Sequence, residues 1–267
     1  MPQTDQAFVG AIPEIYDQLL GPMLFEPYAR DLAERFKGFD GELLETAAGT
    51  GRLTRALAEA APLAAITATD LNEPMLAKAA ELVRAANVRF QPADAQALPF
   101  PDHRFEAVVC QFGVMFFPDR AKAFGEARRV LRPHGRFVFN VWDDLAHNDV
   151  ARTVHEAVAG FFPNDPPAFL ARTPYGWHDR EMIAQALAAA GFHDVQTETV
   201  ALPTPSASAI DAARGLCLGS PLRGEIEARG EDKLETATQA AADALRARFG
   251  DGRFAAPGQA VVVTALA

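Results

Sequence analysis

The chain is 267 residues long, enough to bury a sizeable core, and that length fits one elaborated α/β domain better than two independent ones. Its 25 basic and 35 acidic residues give a net charge of −10 and a pI near 5.1, and its arginines are scattered without an interleaved aromatic row, which argues against a nucleic-acid partner. The two cysteines, Cys110 and Cys217, lie 217 − 110 = 107 positions apart, which excludes a C-x-x-C metal or redox site and a disulfide framework and points to a reducing, cytoplasmic compartment. The first residues, Met1-Pro2-Gln3-Thr4-Asp5, carry an acid and no basic segment, and no stretch of about 18 apolar residues offers a membrane span, so neither targeting nor a membrane is expected.

Strand-like runs alternate with helical periodicity through the first half, the pattern of a doubly wound parallel sheet. The strands are expected at 42–46, 65–69, 88–91, 107–111 and 136–142. The first runs through Leu43-Leu44-Glu45-Thr46-Ala47-Ala48-Gly49-Thr50-Gly51-Arg52-Leu53-Thr54 into a helix. Gly49 and Gly51 lack Cβ atoms, so the backbone can turn sharply and approach a ligand, with the N–H groups that open the next helix facing it. A side chain at either glycine is therefore expected to block the ligand more than it harms folding. A dinucleotide fingerprint would carry a third glycine at position 54, where this chain has Thr54. The next helix opens at Asn72 with Pro74 in its first turn, and another is capped by Asp119 and ends before Pro133.

After Trp142 the rhythm breaks. Residues 143–178 hold a helix over 148–161 and a proline-rich loop, 163–167. Asp179 then caps a helix that Gly191 ends, and 195–202 reads as a strand. A second irregular block, 203–250, contains a helix over 231–249 that presents Leu234, Leu245 and Phe249 as one apolar stripe, suited to a lid or to a dimer contact; it precedes a last strand at 260–266. There is no internal repeat and no low-complexity linker.

Asp70 ends the second strand, 70 − 51 = 19 residues after the glycine turn, where a carboxylate would bond both hydroxyls of a ribose. The acid-ended strand with its G-x-G turn, Asp70-Leu71-Asn72-Glu73-Pro74-Met75, Gln91-Pro92-Ala93-Asp94-Ala95, the Leu98-Pro99-Phe100-Pro101-Asp102-His103-Arg104-Phe105-Glu106 segment and Ala127 to Phe137 occur in the order of a known family. Together they resemble class I S-adenosylmethionine-dependent methyltransferases of the type 11 group, similar in the core to the ubiquinone and menaquinone biosynthesis enzymes. Pro92-Ala93 departs from the family's usual glycine, and Glu106 from its commoner aspartate.

The resemblance implies a Rossmann-like class I methyltransferase fold, α/β, with a seven-stranded sheet of order 3-2-1-4-5-7-6 and helical lid insertions. It divides one structural domain into N-terminal lid helices (1–38), a cofactor-binding core (39–142), an insertion (143–178), the remainder of the sheet (179–202 and 257–267) and a helical acceptor cap (203–256). It implies S-adenosylmethionine as cofactor, S-adenosylhomocysteine as product, and cofactor contacts at Glu45, Ala47, Gly49, Gly51, Asp70, Leu71, Met75, Asp94, Ala95, Gln111 and Phe112. Asp70 would take the ribose, Met75 would pack on the adenine, and Asp94 would read its amino group.

A substrate pocket is expected from Tyr16, Tyr28, Phe116, Phe117 and Trp142, receiving a methyl group on an oxygen, nitrogen or carbon of a small molecule. No catalytic base stands out; the candidates are His147, His155, His178 and Tyr16, and no metal is called for. Holding acceptor and methyl in line can supply roughly 7–11 kcal/mol without a named acid or base. The protein is expected as a monomer or a homodimer. Two other readings stay open: a nicotinamide-dependent Rossmann oxidoreductase, and a non-catalytic S-adenosylmethionine-binding or regulatory protein.

Overall fold

The computed structural model describes residues 12–267. Residues 1–11, the beginning of the expected N-terminal lid, lie outside the described residues. The remaining 12–34 form one helical path: α1 (Ile12–Ile15), π-helical turns over Tyr16–Phe25 that contain Pro22, and α2 (Glu26–Glu34). The N–H of Glu26 reaches back five residues to the Gly21 carbonyl.

Seven strands follow, β1 (Glu42–Glu45), β2 (Ala65–Asp70), β3 (Val88–Pro92), β4 (Phe105–Gln111), β5 (Leu131–Trp142), β6 (His193–Ser206) and β7 (Phe254–Leu266), in the order β3-β2-β1-β4-β5-β7-β6. The expected sheet order is the one found. β1 pairs in parallel with β2 (Leu44↔Thr67) and β4 (Leu44↔Val108), and β4 with β5 (Gln111↔Asn140). β7 runs antiparallel to β5, since His134 N–H donates to the Ala267 carbonyl at one end and Asp143 N–H to that of Gln259 at the other.

The chain separates into two compact units, one of residues 28–141, 178–200 and 260–267, the other of 12–27, 142–177 and 201–259. In the first, α3 (Arg52–Ala60), α4 (Glu73–Leu82), α5 (Arg120–Val130) and α8 (Arg180–Ala189) flank the sheet. The Asp119 carboxylate accepts the Lys122 N–H and that of Asp179 accepts those of Glu181 and Met182, the caps that start α5 and α8. Phe124, Phe137 and Phe139 form a buried ring cluster between α5 and β5. The 98–106 segment is architecture. Arg129 donates to the carbonyls of Leu98 and Phe100 and pairs with Asp102 and Glu126, and Glu106 accepts the Glu42 N–H.

In the second unit, α6 (Asp149–Phe161), α7 (Phe169–Arg172), α9 (Ala209–Leu218), α10 (Leu222–Glu227) and α11 (Leu234–Phe249) pack together, with α11 lying on α6 and α9. α11 buries Ala237, Thr238, Ala241, Ala242 and Leu245, so its apolar face is covered by its own unit and the expected stripe of Leu234, Leu245 and Phe249 is not a free lid surface. Small residues win here because they let helix axes approach closely. Gly215 and Gly219 of the α9 segment serve the same end: a Cβ on Gly215 would stand 2.9 Å from Leu20, and one on Gly219 3.1 Å from Ile15. Two insertion boundaries also move, because β6 continues to Ser206 and β7 starts at Phe254.

Candidate functional site

The carboxyl ends of β1 and β2 are joined by one carboxylate. Asp70, 7% exposed, accepts the Gly49 N–H at 2.8 Å on one oxygen and the Asn72 N–H at 2.7 Å on the other, tying the glycine turn after β1 to the start of α4. Burial raises its pKa, and the two amide bonds oppose that shift. Glu45, at the last position of β1, is 1% exposed. Burial pushes its carboxyl up to about 8, Asp70 adds to the shift, and the Thr54 hydroxyl, donating to Oε2 at 2.6 Å, opposes it. Thr54 thus occupies the third-glycine position as the partner of a buried acid.

The turn between them is left-handed in three places: Ala47 (φ 54), Gly49 (φ 57) and Gly51 (φ 81). The two glycines are there for different reasons. A Cβ on Gly49 meets nothing within 4 Å, whereas one on Gly51 would press to 3.0 Å against both Ala79 of α4 and Val83 just beyond its end. A side chain at Gly51 therefore harms folding as well, because the missing Cβ lets α3 close on α4. Gly49→Val is expected to cost about 1 kcal/mol of folding stability from its positive φ while abolishing ligand binding. Gly51→Val is expected to lower the melting temperature sharply. Thermal unfolding beside ligand titration separates the two, and equal melting temperatures would refute the assignment.

β4 delivers the second edge of the site. Gln111 is half-buried at its end, and Phe112 turns the chain with φ 50, its N–H donating to Asn140 Oδ1 at 2.9 Å. Gly113 follows where a Cβ would lie 2.5 Å from that of Ala47, so the turns after β1 and β4 touch and leave no room for a side chain. Phe116 and Phe117, half-buried, follow in and after a 3-10 turn. Tyr28, expected to wall the pocket, is 1% exposed, stands edge-on to Phe112 at 5.4 Å and directs its hydroxyl to the Val200 carbonyl at 3.5 Å. It packs beneath Phe112, at the base of the turn that follows β4.

Asp94 follows β3 half-buried, its carboxylate accepting the N–H and the side-chain amide of Gln96, an Asx turn that orients it beside Ala95. Met75 is buried on α4 and Leu71 is 57% exposed. Glu45, Ala47, Gly49, Gly51, Asp70, Leu71, Met75, Asp94, Ala95, Gln111 and Phe112 thus all belong to one compact unit.

The other unit holds Tyr16, Trp142, His147 and His155. Tyr16 stacks on Phe25 at 4.8 Å, Phe25 lies 6.4 Å from Trp142, and Trp142 5.7 Å from Tyr175, an unbroken aromatic row. His147 is exposed on a 3-10 turn and lines a cavity of about 600 Å³ with Asp149, Leu202, Pro203, Pro257 and Gln259. His155 sits half-buried on α6, where burial lowers its pKa, and it does not line that cavity. His178 is half-buried and belongs to the same unit as the glycine turn. Of the three candidate histidines, His147 is the one that lines this cavity. Sequence reasoning missed Asn140. Thr54 and Asn72 it read only as a departure from a motif and as a helix start. For Thr54, a hydroxyl nine residues after a buried-strand acid, on the facing side of the next helix, is a usable signal.

Residues 44–139 match the model of a methyltransferase domain. Over 98 residues the chain is 49% identical to a demethylmenaquinone methyltransferase of Thermus thermophilus, covering 36% of this chain and 44% of that protein. Over 113 residues it is 39% identical to the ubiquinone/menaquinone biosynthesis C-methyltransferase UbiE of Burkholderia mallei, covering 39% of this chain and 46% of that one. The matched segment spans less than half the length of either relative. Phosphoethanolamine N-methyltransferase 2 of Haemonchus contortus, solved in complex with S-adenosyl-L-methionine, shares the fold with a TM-score of 0.62 at 17% identity, over 98% of this chain and 58% of that chain. The resemblance carried by the motifs is thus matched over residues 44–139, which are similar to a methyltransferase domain. Among the described residues no helix is long and apolar enough to cross a membrane.

Proposed function

We propose that the chain binds S-adenosylmethionine at the carboxyl ends of β1, β2 and β4 and transfers its methyl group to an oxygen, nitrogen or carbon of a small molecule. The observation that carries this reading is the Asp70 carboxylate, held by Gly49 and Asn72 at the mouth of a turn whose Gly49 faces open space. Two backbone amides fix the carboxylate in place, and each of its oxygens keeps lone-pair capacity for a ribose hydroxyl. Asp94 would take the adenine amino group, and Met75 would support the ring from α4. Asp70, and Glu45 once a bound cation has drawn off its proton, would supply the negative potential that a sulfonium and an ammonium group require.

The acceptor side is read from the relatives' names, which describe quinone biosynthesis. A reduced, demethylated quinone ring is accordingly the first acceptor to try. In this reading the residues position and exclude water, and the electrophilic sulfonium supplies the reactivity.

A thermal-shift comparison tests the cofactor. S-adenosylhomocysteine at about 100 times its dissociation constant is expected to stabilise the protein by about 2.7 kcal/mol, with NADH giving none. The opposite pattern would favour the oxidoreductase reading. Stabilisation without methylation across a panel of quinols, phenols and amines would favour a binding protein.

A further inference from the structure

One buried amide at this sheet edge uses only half of its hydrogen-bonding capacity. Asn140, at the carboxyl end of β5, has no exposed surface, and its Oδ1 accepts the Phe112 N–H at 2.9 Å. The same N–H also reaches the Asn140 backbone carbonyl at 3.2 Å, and since a backbone N–H only donates, the end of the side-chain amide that it faces is the oxygen. Its Nδ2 has no hydrogen-bond partner among the described residues. A buried amide N–H without a partner is costly, and native folds complete nearly all of them with protein, water or a ligand.

The position says which. Asn140 stands in register with Gln111, so it lies where two parallel strands end side by side, the edge at which open α/β sheets take their ligands. Strand alternation puts it on the face opposite Phe137 and Phe139, whose rings pack with Phe124 of α5, so it is not part of that apolar cluster. The residue whose N–H it holds, Phe112, carries a left-handed φ that a side chain tolerates only when its surroundings enforce it.

We propose that Asn140 is a ligand-binding residue: Nδ2 donates a hydrogen bond to an oxygen of the bound ligand while Oδ1 holds the Phe112 turn that borders the same site. The shared chemistry is an oxygen lone pair. It comes from the carboxylate of the cofactor's amino-acid part or from a hydroxyl or carbonyl of the acceptor, and only the second source rests on the acceptor reading given above.

The test uses the intact protein labelled with ¹⁵N at its five asparagines, the Asn140 side-chain signal being assigned by its loss in Asn140→Leu. Two additions are made in turn, S-adenosylhomocysteine alone and then 1,4-dihydroxynaphthalene, with dissociation constants measured by calorimetry. The Asn140 amide pair is expected to move downfield and to exchange more slowly with solvent on one of them. Asn140→Leu is expected to weaken the same ligand roughly tenfold while circular dichroism and melting show a folded protein. A response to the first addition identifies the cofactor as the oxygen's source, and a response confined to the second identifies the acceptor. If dihydroxynaphthalene does not bind the wild-type protein, the quinol reading falls and the first addition alone decides. Unmoved amide signals together with an unchanged dissociation constant in a folded variant overturn the proposal.

Discussion

Asp70→Ala is expected to weaken S-adenosylhomocysteine binding by about a hundredfold, or about 2.7 kcal/mol, in a protein that still folds. Two hydrogen bonds to a ribose, each made by an ionised acceptor, are worth on the order of 1.5–3 kcal/mol apiece before the cost of burying the charge. The structure adds a second loss. The same carboxylate holds the Gly49 and Asn72 N–H groups, so its removal also frees the turn along which the ligand would lie. Asp70→Asn, nearly the same shape, is expected to fare little better, because its NH₂ must face one of those two donors. Isothermal titration decides the matter. An unchanged dissociation constant for either variant would sink the ribose assignment, and with it the cofactor reading.

The second large effect is a pH dependence set by Glu45. The unfolded carboxyl titrates near its ordinary value of 4.5 and the folded one near about 8, so between those values the folded state holds a proton that the unfolded state has lost. Protons bound preferentially by the folded state make stability fall as pH rises, by up to about 1.4 kcal/mol per pH unit for a single group. Stability of the free protein is therefore expected to be fully present below pH 4.5 as far as Glu45 is concerned, and to decline up to about 8. Asp70, also raised by burial, acts in the same direction, while the Cys110 thiol, pushed up to about 12, lies outside the window.

Glu45→Gln should flatten its share of the decline, as read by urea unfolding at pH 5, 6.5 and 8. A bound sulfonium or ammonium would draw Glu45 into its ionised form, so ligand binding at pH 7 is expected to release a proton. Calorimetry in buffers of different ionisation enthalpy would detect that proton in the wild-type protein and not in Glu45→Gln. Parallel stability curves for the two proteins across this range would show that Glu45 is already ionised in the fold.

Some of this was legible in the chain and some was not, and the division follows the range of the interactions. Period-two and helical apolar patterns, the Asp119 and Asp179 caps and the glycine turn are local signals, each encoded within a dozen residues, and they place the strands and the helices flanking them within a few positions. The second unit was harder to read. Residues 203–250 are rich in alanine and glycine, and α9 packs through small residues that let it close on its neighbours, a tertiary reason that leaves little periodic trace.

The site divides in the same way. The sequence by itself determined the acids and glycines at the strand ends, because a sharp turn that admits a ligand requires those residue types wherever it is built. Only the tertiary structure decided what each of them touches: Gly51 faces α4 and Gly49 faces open space, Thr54 serves Glu45, Tyr28 is spent on the core, and Asn140 stands behind Phe112. Those pairings join residues far apart in the chain, up to 172 positions for Tyr28 and Val200, and they depend on strand register and helix packing that no local pattern records.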